Sequence, residues 1–188
     1  MNKTRDMIIV ALFAALTAIG AFIRIPLPVV PFTLQFLFCA YSGSLLGAKL
    51  GVMSQLLYVL IGLAGIPIFT NGGGITYIFQ PTFGYLIGFI VCSGIIGYFT
   101  QRMVQFSFLK MVVAVLAGLA AVYMIGVLYL FMIVNFYMGG NMSAAGALTV
   151  GFLPYILPDL MISCLVAYSS TIIIPRLRRN GFLIRQRR

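Results

Sequence analysis

Acidic side chains are almost absent from this chain: Asp6 and Asp159 are the only two among 188 residues, and there is no histidine. Apolar residues, 62% of the total, therefore run on with little to interrupt them. A water-soluble domain carries about a quarter charged residues; here the share is 7%. Folded in water, such a chain would expose apolar patches that soluble monomers avoid. A bilayer removes the conflict, since about 20 apolar residues cross its roughly 30 Å hydrocarbon core as a helix.

The runs predict a layout. The first, about 7–23, starts from a charged segment and reads as a retained first span, not a cleaved leader. It stops at Arg24. Prolines 26, 28 and 31 lack a backbone donor and disfavour helix at the residue before them, so 24–31 reads as a loop. The stretch 32–66 is long for one span and short for two. Its single interruption at Gly47-Ala48-Lys49 predicts a tight helical hairpin, 32–46 and 50–66, with Lys49 at the turn. One tilted span plus a re-entrant piece is the alternative. Residues 67–80 form a loop with Asn71 and the glycines 72–74, and Pro81 suits the first turn of a fourth span, 82–100. A basic connection, 101–110, leads to a fifth span, 111–136. A glycine-rich loop, 137–151, leads to a sixth, 152–174. The expected fold class is all-α integral membrane: one domain, 1–188, of six transmembrane helices.

Charge orients this layout. One side receives Lys3, Arg5, Lys49, Arg102, Lys110 and the tail arginines 176, 178, 179, 185, 187 and 188; the other receives Arg24 alone. A split of eleven to one places both termini in the cytoplasm by the positive-inside rule. The net charge of +10 thus reads as a lipid-facing flank in a multi-pass plasma-membrane protein, not a nucleic-acid surface. Cys39, Cys92 and Cys164 sit in apolar runs and read as small buried hydrophobes. Without histidine or paired carboxylates, no ordinary zinc or two-metal site and no general acid–base pair can be built, so an enzyme is not expected. The glycine triplet lacks the Lys-Ser/Thr of a phosphate loop, so the chain is not expected to hydrolyse ATP.

Three features point to function. Asp159 is the one acid expected within a span, where a carboxylate marks a ligand or proton site by default; a backbone cap near Pro158 is the structural alternative. The outer loops gather Arg24, Thr33, Gln35, Asn71, Thr76, Tyr77 and Gln80 among glycines and prolines, the composition of a small-molecule pocket as well as of an ordinary polar loop. Ala11, Ala14, Ala15 and Ala18 form a small-residue stripe on the first span, suited to close helix packing within the bundle or against another subunit.

The segments VPFTLQFLF (30–38), SQLLYVLIGLAGIPIFTNGGG (54–74), PTFGYLIGF (81–89) and LPYILPDL (153–160) resemble the BioY family, the biotin-binding S-components of energy-coupling-factor (ECF) vitamin transporters. Where the family pattern carries a lysine three residues after the aspartate, this chain has Ile162. The resemblance implies an S-component-like bundle, biotin captured from outside, and partners: a transmembrane coupling subunit and two cytoplasmic ATPases. It implies no cofactor, and it favours docking for the alanine stripe. For biotin, Asp159 is the expected acceptor of a ureido N–H, with Gln80, Asn71 or Gln35 on the remaining ureido atoms. Tyr85, Phe79 and Tyr155 are expected over the ring. Thr33, Gly73 and Gly74 complete the expected site. Arg24 is a candidate for the carboxylate tail or an interfacial anchor. A stand-alone secondary transporter using Asp159 as a proton shuttle is the alternative.

Overall fold

The computed structural model describes residues 3–27 and 29–179. Pro28, the side chain of Arg178, and the tail arginines 185, 187 and 188 lie outside the described residues. The elements are α1 (Lys3–Phe22), a two-stranded ribbon β1 (Arg24–Ile25) and β2 (Phe32–Thr33), α2 (Gln35–Leu63), α3 (Phe83–Arg102), α4 (Phe108–Met132), α5 (Ala144–Gly151) and α6 (Leu153–Arg179). Among the described residues, five segments are long and apolar enough to cross a membrane: α1, α2, α3, Phe108–Tyr137 and Leu153–Leu177.

The second of these is not a straight rod. Gly47 has φ +80° and ψ 178°, a backbone conformation open to glycine and strained for any other residue. The chain reverses there, two residues before Lys49. Gln35 Nε2 consequently donates to Tyr58 Oη at 2.8 Å, although 23 residues separate them; along an unbroken helix that is about 35 Å. The arms, 35–46 and 48–63, pack backbone to backbone: a Cβ on Gly51 would lie 3.1 Å from Gly43 Cα, and one on Gly43 would lie 2.6 Å from Ser93 O of α3. Small residues are what allow such approach inside lipid, where apolar burial alone drives little helix association. Gln55 ties the layers together, its Nε2 lying 3.2 Å from both Thr17 Oγ1 of α1 and Ser42 Oγ of the first arm.

α3 lies between α2 and α4, and α6 closes the bundle against α4 and α2. The ribbon β1–β2 pairs Arg24 with Thr33 and Ile25 with Phe32, so the loop expected at 24–31 is partly a hairpin. Within the 67–80 loop, Ile75–Phe79 form a single 3₁₀ turn. That loop is stapled to the bundle by Phe69, which is 1% exposed and packs edge-on to Tyr58 at 5.4 Å and against Tyr77 at 4.6 Å. The segment expected as a loop at 137–151 contains α5, whose first turn is capped by Ser143 Oγ accepting from Gly146 N at 3.0 Å. Asn135 holds the turn before it, donating to Met142 O at 3.0 Å and accepting from Met142 N at 2.7 Å.

The alanine stripe divides. Ala14 is buried at 4% and Ala18 packs against the core, whereas Ala11 and Ala15 remain exposed on the outward face of α1.

Candidate functional site

A cavity opens at the end of the bundle where α1 stops, α2 starts and α6 starts. About 60 Å³ of it is enclosed, inside about 570 Å³ of space counted out to the open mouth; its lining, mostly apolar with a few convergent polar groups, is that of a small-molecule site. Apolar side chains form most of the wall, including Phe36, Leu86, Phe89 and Val122, each buried. The polar groups are few.

Asp159 stands in the second turn of α6, 7% exposed, and lines this cavity. Tyr123 of α4 donates to its Oδ2 at 2.5 Å. Among the described residues no donor meets the other carboxylate oxygen, Oδ1, which leaves an acceptor available to a bound molecule. The Tyr123 ring is fixed in turn by Phe152, edge-on at 4.8 Å.

Gln35 begins α2 on the opposite wall. Its Oε1 accepts from Thr33 Oγ1 at 3.0 Å and from Thr70 Oγ1 at 3.2 Å, while its Nε2 donates to Tyr58. Tyr58 then donates to Ile68 O at 3.1 Å. The amide is thereby locked in orientation, and its loop partners come from both sides of the mouth. Tyr77, 4% exposed, accepts from Thr82 Oγ1 at 3.0 Å. Burial pushes its phenol above the usual range, with Thr82 and Arg24 acting the other way; it remains a neutral phenol across physiological pH.

Two tyrosines position the remaining wall. Tyr85 of α3 donates to Gly151 O at 2.8 Å, tying the cavity to the end of α5. Tyr155 of α6 donates to Val30 O and holds the ribbon's turn over the opening. Arg24 completes the frame from outside: its guanidinium donates to Thr70 O and to Asn71 Oδ1, the latter at 3.2 Å. The ribbon and the 67–80 loop are thus strapped together across the mouth.

Of the residues expected from sequence, Asp159, Gln35, Thr33, Tyr85 and Tyr155 line the cavity together. Asn71 and Gln80 are exposed outside it. Phe79 is 48% exposed and stacks on Tyr137 at 4.6 Å. Gly73 packs on the Ile66 carbonyl, and Gly74, with φ +103°, starts the 3₁₀ turn. Arg24 reaches the site through Thr70, which is a lining residue. Tyr123, Thr70, Thr82, Phe36 and Phe89 line the cavity without having been singled out. The signal for Tyr123 was a hydroxyl in mid-span, where a polar group seeks a partner.

A family model described as the BioY family matches residues 1–179. A relative from Lysinibacillus sphaericus, described as "Probable biotin transporter BioY", is 46% identical over 176 residues, covering 94% of this chain and 88% of the relative. The "Biotin transporter BioY" of Thermotoga maritima is 39% identical over 158 residues, covering 84% and 88%. The fold is similar to a crystal structure of the S-component for biotin from an ECF-type ABC transporter, with TM-score 0.78 and 25% identity over 95% of this chain and 94% of the other.

Proposed function

Since this chain belongs to the BioY family, we propose that its cavity captures biotin and that the chain is the membrane-embedded S-component of an ECF-type importer. The observation that carries the reading is the carboxylate oxygen of Asp159 that no described residue meets, inside a largely apolar cavity. Biotin offers matching chemistry: two ureido N–H donors and a carbonyl on an apolar, sulfur-containing ring system. Asp159 Oδ1 accepts one ureido N–H, while Tyr123 holds Oδ2 and fixes the carboxylate plane. Charge-assisted bonds of this kind are worth about 1.5–3 kcal/mol net. Phe36, Phe89, Tyr85 and Tyr155 enclose the ring, and Gln35, Thr33 and Thr70 face it from the mouth. The valerate tail points to the opening. Arg24 serves as a strap for the mouth, its Nη1 donating to both Thr70 O and Asn71 Oδ1. Asn71, Gln80, Phe79, Gly73 and Gly74 shape the loop that the strap holds.

The chain is a multi-pass protein of the cell membrane. We assign it six membrane-embedded segments, counting the arms of α2 separately, with both termini cytoplasmic and the cavity facing outward. The charge asymmetry supports this orientation. Exposed Ala11 and Ala15 support α1 as the face that meets the coupling subunit, while Ala14 and Ala18 serve internal packing. Two ATPases on the cytoplasmic side supply the energy.

Equilibrium titration of the purified chain with biotin tests the central claim. Binding with a Kd well under 1 μM, about −8 kcal/mol, is expected. Weaker binding, or equal binding of unrelated vitamins, would refute it.

A further inference from the structure

Two cations at the other end of the molecule lack a counter-charge. The chain has only two acids. Asp6 lies 3.9 Å from Arg5, the single ion pair among the described residues, and Asp159 is in the cavity. Arg102, in the last turn of α3, rests with its guanidinium carbon 3.8 Å from the Tyr98 ring centroid. Lys110 stands in the first turn of α4. Neither side chain donates to an acceptor among the described residues. Both line one open groove of about 640 Å³ between the end of α3 and the start of α4. The rest of its surface is largely apolar: Phe99, Val104, Leu109 and Val113 line it and are 43%, 82%, 69% and 56% exposed.

We propose that this groove is a binding site for one anionic phospholipid. The phosphate sits between Arg102 and Lys110, and the first part of an acyl chain lies along Phe99, Leu109 and Val113. The choice of occupant follows from the pairing of charges with apolar wall. A soluble phosphate would satisfy the cations and leave the wall uncovered. A zwitterionic lipid would cover the wall but bring its own cation towards Arg102 and Lys110. The groove lies where α3 ends and α4 begins, both long and apolar enough to cross a membrane, and the ends of such helices are where headgroups meet hydrocarbon. The site is independent of the biotin reading.

The test is native mass spectrometry of the full chain in detergent, offered equal amounts of phosphatidylglycerol and phosphatidylcholine with the same acyl chains. One retained phosphatidylglycerol, preferred by roughly 10- to 30-fold as two surface cations allow, is expected. In R102Q/K110Q the preference disappears while biotin titration is unchanged. Equal retention of the two lipids overturns the proposal, as does a preference that survives the double substitution. Competition by glycerol phosphate at matched concentration would assign the site to soluble anions instead. Protection of a Val104→Cys thiol from maleimide by the coupling subunit in lipid-free detergent would assign the groove to a protein.

Discussion

Asp159 and Tyr123 act as one unit, and their coupling can be measured. Asp159→Asn keeps the shape of the side chain but removes the charge that strengthens a ureido hydrogen bond. Biotin affinity is expected to fall about 10- to 100-fold, read by titration in detergent with thermal unfolding as a check on folding. Tyr123→Phe removes only the orienting donor and should cost a smaller factor, about 2- to 10-fold. Since the hydroxyl acts through the carboxylate, Tyr123→Phe should have little effect in the Asp159→Asn background. Additive losses would mean that Tyr123 meets the ligand by itself. Asp159 was legible in the sequence because an acid within a span is rare enough to stand out. Tyr123 was not: tyrosine is common in apolar runs, and only the approach of α4 to α6 selects it over Tyr129, which donates to Ile78 O instead.

At the scale of elements, the mouth and the hairpin make different predictions. Arg24 was expected either at the ligand's carboxylate or as an anchor. Its contacts with Thr70 and Asn71 make it a strap between two loops. Arg24→Ala should therefore speed release of biotin and of biotin amide by the same factor, measured by dissociation rates. A loss confined to biotin would restore the carboxylate role. The hairpin depends on Gly47. Alanine there meets the cost of a backbone region essentially reserved for glycine, about 1–3 kcal/mol, and its Cβ would also meet the Gln101 side chain. Gly47→Ala should lower the unfolding temperature, and adding Gln101→Ala should recover only the steric part. The reversal was legible because one Gly-Ala-Lys break interrupts a mainly apolar stretch of 35 residues; its position at Gly47 instead of Lys49 depends on which residue tolerates φ +80°. α5 was not legible. Its glycines argue for a loop, and what makes it helical is the Ser143 cap with packing on α4 and α6.

The whole molecule has two chemically different ends. Among the described residues, the cavity end carries Arg24 as its one cation, whereas Lys3, Arg5, Lys49, Arg102, Lys110, Arg176 and Arg179 gather at or near the opposite end, where α1 starts, the hairpin turns and α6 stops. A site enclosed by a strapped mouth binds tightly only if it also releases slowly, so the chain as built suits capture better than turnover. In the proposed importer, the work of release into the cell comes from the ATPase partners. The competing source of work is a proton moving through Asp159. That route is poorly served by the surroundings: among the described residues Tyr123 is the one hydroxyl bonded to its side chain, and Ser163 bonds its backbone carbonyl at 2.7 Å instead. Uptake of labelled biotin by cells holding this chain and its partner subunits should therefore stop when the ATPase sites are disabled. It should persist when an uncoupler collapses the proton gradient while ATP is held constant. The opposite pattern, uptake by the chain alone that an uncoupler abolishes, would make Asp159 a proton carrier and the chain a self-sufficient transporter.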